Sequence, residues 1–134
     1  MVLEVFSSYH HEDRVLAGRI KEKLEATGFT AFLAHGDIEV AAEWRAEILK
    51  HLDSCLGLVA VVTEKFAVSP WTNQEVGIAI GKGKPIVSMI FCATNKVLPG
   101  FLESLQGIAA SESKIEDAVH KSTQTILGIL SRRY

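Results

Sequence analysis

The sequence contains few cysteines and no excess of positive charge. Only two of its 134 residues are cysteine. Cys55 and Cys92 lie in or beside apolar runs and lack the spacing of metal ligands, so we predict small buried side chains in the reducing cytosol. The formal net charge of -2 gives no broad electrostatic reason to bind nucleic acid or an anionic membrane. We therefore expect a cytoplasmic protein with neither a metal nor a nucleic-acid partner.

The sequence also lacks long apolar runs. The first ten residues, MVLEVFSSYH, are too polar for a signal peptide, and no later run approaches the length of a membrane span. Hydrophobic residues nevertheless make up 48% of the chain, which is enough for a substantial core. Two separately cored domains would each be too small at this length, so we expect a single domain over residues 1–134.

Short apolar segments alternate with amphipathic segments along the chain, and this alternation predicts strands that alternate with helices. The predicted strands are 2–6, 29–33, 56–63, 85–91 and 107–110, and the predicted helices are 12–26, about 44–54, 70–80 and 115–130. Right-handed crossovers between such strands favour an α/β, flavodoxin-like three-layer fold. Its central five-stranded parallel sheet would have the order 2-1-3-4-5 and helices on both faces.

In a sheet of this order, ligands bind beyond the carboxyl ends of the strands, between strands one and three. Two loops, 7–11 and 63–71, would lie there, and the second leads into the helix that carries Trp71 and Glu75. Because these residues are four apart, their side chains share one face of the helix and can line one pocket. The pattern alone favours a solvated glutamate, since carboxylates in the second turn of a helix usually face water.

Other chemical motifs are incomplete. No G-x-G-x-x-G follows the first strand, which argues against the usual dinucleotide-binding fold, and segment 81–84 (GKGK) follows a helix, as a helix cap does. The adjacent pair His10-His11 has no third ligand at helical spacing, so we interpret it as loop polarity or a substrate contact. Serines stand where a phosphoacceptor receiver would need paired carboxylates.

Several segments, in the expected order, resemble Toll/interleukin receptor (TIR) domains. Taken singly each is weak, but in register they are specific, and they cover most of the chain. They are VFSSY at 5–9 with Asp13, GFTAF at 28–32 with the loop 34–42, EWR at 43–45, the LVAVVT strand, SPW at 69–71 and PIV at 85–87.

The spacing Trp71-x-x-x-Glu75 resembles the motif of NAD-cleaving prokaryotic members of that family. The resemblance implies that Glu75 is the catalytic residue and that Trp71 helps to wall the substrate pocket. It also implies substrate contacts from Ser8, Tyr9, His10, Phe32 and Ala34, the last within the loop 34–42. Some relatives carry arginine just after the first-box tyrosine, where this chain has His10-His11. Arg14 and Lys65 are the candidates to replace it in phosphate recognition.

The resemblance therefore implies an NAD+ glycohydrolase or cyclase that needs no cofactor, because NAD+ is its substrate. It would release nicotinamide together with ADP-ribose or a cyclic isomer, as a defence or signalling effector activated by homotypic TIR–TIR assembly. A sensor domain or a downstream effector protein would be its further partners. The alternative is a non-catalytic TIR adaptor module. A third interpretation, from fold logic, is another N-glycosidic enzyme such as a nucleoside deoxyribosyltransferase.

Overall fold

The computed structural model describes residues 3–33, 41–66, 69–91 and 106–133, without the side chains of 41–44 and 106. Within these ranges, five strands and four α-helices follow one another in a largely alternating order. In chain order they are β1 Glu4–Ser8, α1 Arg14–Ala26, β2 Thr30–Leu33, α2 Ala41–Ser54, β3 Gly57–Val62, α3 Pro70–Gly81, β4 Ile86–Ile90, β5 Gln106–Ala109 and α4 Ile115–Ser131.

The strands form one parallel sheet of order β2-β1-β3-β4-β5, which confirms the predicted fold class. Strand β3 is central, and all six of its residues are buried because helices cover both faces of the sheet. The strand order reverses between β1 and β3, where Ser8 is paired in register with Ala60. The carboxyl ends of these two strands therefore flank the crevice that the sequence predicts.

Alternation along the strands divides the core into two layers. On one face, α1 and α4 pack over Val5, Val59 and Val87. On the other face, α2 and α3 pack over Phe6 and Leu58. Residues two apart in a strand point to the same face. Ser8 therefore lies on the α2/α3 face with Phe6, and Ser7 lies on the opposite face with Val5.

The ends of the helices follow local sequence signals. Ser69 caps α3 by accepting a hydrogen bond from the Thr72 N–H, and Pro70 occupies the first helical position, as predicted. Gly28 after α1 has a φ of 93°, and Gly83 after α3 has a φ of 70°. Both lie in the left-handed region that favours glycine, so each allows the chain to turn back toward the next strand.

Two local predictions are wrong at their boundaries. Ser7-Ser8 does not end the first strand, because Ser7 continues the ladders with both β2 and β3 and Ser8 continues the ladder with β3. Both side chains are buried. Residues His11–Asp13 form a single 3-10 turn before α1, whereas the predicted helix begins at Glu12. Residues 34–40 of the predicted loop 34–42 lie outside the described residues, and its last two residues belong to α2. Cys92 also lies outside the described residues. Cys55 is buried, as predicted.

The C-terminal ends of α2, α3 and α4 meet at the amino end of the sheet, where the strands begin. Lys84 donates hydrogen bonds from Nζ to the carbonyls of Asp53 (2.7 Å) and Cys55 (2.9 Å). Asp53 lies in the last turn of α2, and Cys55 directly follows that helix. Arg133 donates to the Gly83 carbonyl at 2.6 Å. Cations here satisfy carbonyl groups and the negative ends of helix dipoles. None of the helices in the described part of the chain is long and apolar enough to cross a membrane.

Candidate active site

Glu75 lies at the carboxyl end of the sheet with only 2% of its surface exposed. The Oγ of Ser8, the last residue of β1, donates a hydrogen bond of 2.7 Å to Glu75 Oε1. These residues are 67 positions apart in the chain and meet because α3 crosses the face on which Ser8 lies. The solvated glutamate that the pattern favours is therefore not what the structure contains.

The first turn of α3 fixes where Glu75 stands. The hydroxyl of Thr72, which is fully buried, lies 3.0 Å from the carbonyl oxygens of both Phe66 and Ser69, so its one proton is shared between these two acceptors. Asn73 Nδ2 donates to the same Ser69 carbonyl at 3.0 Å. These bonds attach the start of the helix to the loop that follows β3. Thr72, Glu75, Val76 and Ala79 then form the buried face of the helix, at the spacing expected for one stripe.

Trp71 lies at the rim of this region. It is 38% exposed, whereas Glu75 one turn later is buried. The two side chains are separated by about 40° around the helix axis, as residues four apart must be. The structure thus places an aromatic side chain at the outer border of the crevice and the carboxylate beneath it, which is compatible with the pocket wall that the resemblance implies.

Tyr9 and His10 directly follow Ser8 at the carboxyl end of β1. Tyr9 is fully buried in the layer beneath α1 and α4, on the opposite face of the sheet from Ser8. His10 is partly exposed, and its Nδ1 accepts a hydrogen bond of 3.0 Å from the Glu12 N–H, so it caps the 3-10 turn. These contacts do not test whether either side chain touches the substrate, so the substrate contacts of Tyr9 and His10 stay predictions.

Phe32 lies on the same face of the sheet as Ser8 but nearer the amino ends of the strands, where it is paired in register with Phe6. Its ring stacks on that of His51 with the centroids 3.8 Å apart, and it also contacts Phe6. His51 Nδ1 lies 2.6 Å from Glu4 Oε1 at the amino end of the sheet. Phe32 therefore belongs to the packing between β2 and α2, and its predicted role at the substrate stays untested. Ala34 lies outside the described residues.

A second polar group joins the loops after β1 and β3. Thr63 Oγ1 donates a hydrogen bond of 2.5 Å to Asp13 Oδ2, and Lys65 Nζ lies 3.9 Å from Asp13 Oδ1 and 3.8 Å from Glu12 Oε2. Arg14 donates from Nη1 to the His11 carbonyl at 3.4 Å. Arg14 and Lys65 therefore follow the carboxyl ends of β1 and β3, and Lys65 is paired with carboxylates. Their predicted role in phosphate recognition stays untested.

The pairing of Ser8 with Glu75, and of Thr63 with Asp13, was missed by the sequence analysis. Ser8 and Asp13 both stand in the first segment that resembles TIR domains, but nothing in their spacing indicates the partner of either. Within the part of the chain that the structure describes, no group of three or more potential ligands could hold a metal ion. Among the described residues near the crevice, Glu75 is a buried carboxylate held by a hydroxyl, and Asp13 is paired with Thr63 and Lys65 in the loops beside it.

The fold and the position of Glu75 at the strand-order reversal define a flavodoxin-like α/β protein with a buried carboxylate at its ligand crevice. A family model described as a TIR domain matches residues 5–127. The chain therefore belongs to the TIR-domain family, as the sequence resemblance implies.

Among solved structures, the chain is similar to the CMP N-glycosidase BcmB of Clostridium botulinum, with a TM-score of 0.62 and 18% identity. That similarity covers 88% of this chain and 95% of the other. At this level of identity the likeness shows the fold. A search of curated proteins found no match to the chain.

Proposed function

We propose that this TIR domain cleaves the bond between nicotinamide and ribose in NAD+, with Glu75 as the catalytic residue. The observation that carries the proposal is the buried carboxylate of Glu75, held by Ser8 at the carboxyl end of the sheet. A carboxylate is costly to bury and is retained where its charge is used. Its spacing from Trp71, which matches the NAD-cleaving type within the family, adds support.

The chemistry requires only one carboxylate. When the bond between ribose C1′ and the pyridine nitrogen breaks, its electron pair moves to that nitrogen and neutralises the cationic ring. No general acid is needed, in contrast to ordinary glycoside hydrolysis. Glu75 would hydrogen-bond the ribose hydroxyls and stabilise the positive charge that develops on the sugar. Water then adds to C1′ and releases a proton, which gives nicotinamide and ADP-ribose, or a second nucleophile within the molecule gives a cyclic product.

The burial of Glu75 has a consequence for activation. A substrate ribose has to reach a carboxylate that is 2% exposed, so the crevice must open before NAD+ can bind productively. We propose that homotypic TIR–TIR assembly favours the open form, because a ligand or partner shifts an equilibrium toward the state that it binds better. Activity should therefore rise more steeply than protein concentration.

The direct test measures nicotinamide release from NAD+ over a range of protein concentrations, with and without a crowding agent. Glu75→Gln keeps the shape of the side chain and removes its charge, so we expect the rate to fall about 10²–10³-fold. Glu25→Gln, at an exposed carboxylate near the end of α1, is the matched control and should retain the wild-type rate. Equal turnover by wild type and Glu75→Gln would refute the assignment.

The same assay separates the other interpretations. The similarity to a CMP N-glycosidase makes CMP the first alternative substrate to include, and deoxynucleosides test a deoxyribosyltransferase. Release of cytosine from CMP with no reaction of NAD+ would identify a nucleotide N-glycosidase. Assembly that depends on concentration, with no turnover of any substrate, would identify an adaptor module. Mass spectrometry of the products distinguishes linear ADP-ribose from a cyclic isomer.

A further inference from the structure

Three serines in the sheet are completely buried, and they differ in what their hydroxyls contact. Ser8 donates to Glu75 Oε1 at 2.7 Å. Ser7 and Ser88 have hydroxyls with no hydrogen-bond partner among the described residues. Ser88 lies in the same row of the sheet as Ser8, because both pair in register with Ala60 between them. Ser7 and Ser88 are thus two natural controls for Ser8, whose hydroxyl binds the carboxylate.

The hydrogen bond restricts what else Ser8 can do. A hydroxyl has one proton to donate, and an ionised carboxylate can only accept. The proton of Ser8 is directed at Glu75, so it is not simultaneously available to a ribose hydroxyl or phosphate oxygen. Ser8 is also held rigidly, since its backbone ends a strand that pairs with β3 on one side and β2 on the other. A rigid donor of this kind fixes the position of a flexible acceptor.

We propose that Ser8 is a positioning residue, whose hydroxyl orients the carboxylate of Glu75 toward the sugar and does not itself bind the substrate. This inference rests on the proposed cleavage of NAD+ by Glu75. It differs from the substrate contact that the family resemblance implies for Ser8. A glutamate side chain has several rotatable bonds, and displacement of a reacting group by about 1 Å can cost roughly 10²-fold in rate.

The test compares kcat and KM for nicotinamide release by the full chain, at the protein concentration where the wild type is active. For Ser8→Ala we expect kcat to fall roughly 10–100-fold with KM little changed, because the loss affects the orientation of Glu75. Ser88→Ala and Ser7→Ala remove equally buried hydroxyls and should stay near the wild-type kcat. Ser8→Thr keeps a hydroxyl and should recover part of the rate.

A double-substitution cycle distinguishes a positioning residue from a general structural one. In the Glu75→Gln background, Ser8→Ala should cause no further loss, since there is no charged group left to orient. Thermal unfolding of each variant shows whether Ser8→Ala folds as well as Ser88→Ala does.

Three results would overturn the proposal. An activity of Ser8→Ala equal to that of Ser88→Ala would show that the hydrogen bond does not matter for turnover. A raised KM together with a further loss in the Glu75→Gln background would assign Ser8 to substrate binding. If Glu75→Gln itself is as active as the wild type, the proposed function fails together with this inference, whereas the first two results leave the proposed function intact.

Discussion

The two ends of the sheet both contain charged residues, and these residues have different roles at the two ends. At the amino end, Lys84 and Arg133 donate to backbone carbonyls where helices end, so each charge satisfies groups that the fold would otherwise leave exposed. At the carboxyl end, Glu75 is buried and accepts a hydrogen bond from the Ser8 hydroxyl, beside the crevice where ligands bind in folds of this type. The first arrangement stabilises the fold, and the second holds a charge where burial is costly.

This difference predicts that stability and activity can be separated by substitution. Enzymes commonly retain groups in the active site that the fold alone would not favour. Substitutions at the amino end should therefore lower the free energy of unfolding and leave turnover intact, and the substitution of Glu75 should do the reverse. The predictions below test that separation, from the largest expected effect to the smallest.

Glu75→Gln should uncouple the two properties most strongly. The expected loss of about 10²–10³ in rate corresponds to roughly 2.7–4 kcal/mol of transition-state stabilisation. Glutamine still accepts a hydrogen bond from Ser8 and no longer buries a charge, so the free energy of unfolding should stay equal or rise. Urea denaturation of both proteins measures it. A clear fall in stability would show that the carboxylate belongs to the structural framework.

Cys55 makes stability at the amino end depend on pH. Burial raises the pKa of its thiol from 9.0 to about 11, while the charge of nearby Lys84 partly offsets that effect. The unfolded chain releases this proton first as the pH rises, so the contribution is complete below pH 9 and is lost through about pH 11. The loss should reach about 2 kcal/mol over that window.

Cys55→Ala should not show this component. Denaturation under reducing conditions at pH 8 and at pH 10.5 therefore compares the two proteins, and the other titrating groups cancel in the difference. An identical pH dependence of the two would mean that the thiol titrates normally in the folded protein.

Lys84→Met should lower the free energy of unfolding by about 1–2 kcal/mol, because it removes two charge-assisted hydrogen bonds, an exposed one to the Asp53 carbonyl and a partly buried one to the Cys55 carbonyl. Lys82→Met is the matched control. Lys82 pairs at 3.1 Å with Asp53 in an exposed ion pair, which is worth less than about 1 kcal/mol. Nicotinamide release should be unchanged in both. Equal effects of the two substitutions on stability would contradict the distinction between a carbonyl cap and a surface pair.

Ser69→Ala should lower the free energy of unfolding by about 1 kcal/mol, through loss of the cap of α3. Because the same helix carries Glu75, this substitution should also reduce kcat, unlike those at the amino end. Thermal unfolding and kcat measured on the same preparation give both values. Ser111→Ala, at a 3-10 turn start where the side chain makes no cap bond, should change neither.

The sequence predicted the elements and their order because hydrophobic periodicity and capping residues act locally. Ser69-Pro70 marks the start of α3, and the valine-rich segment that becomes β3 is buried on both faces, as its pattern predicts. The parallel sheet covered by helices on both faces then follows from the rule for right-handed crossovers. The position of the crevice could be predicted on the same basis, and so could the presence of Trp71 and Glu75 beside it.

Only the tertiary structure decided which side chains contact each other. Local pattern favoured a solvated Glu75, and the packing of α3 across β1 placed it on Ser8, 67 residues away. Tyr9 adjoins Ser8 in sequence yet lies on the other face of the sheet. Alternation along an extended strand separates such neighbours, while crossovers bring distant residues together. The sequence by itself therefore determined the framework and the region of the site, and the contacts across strands determined the arrangement of its carboxylate.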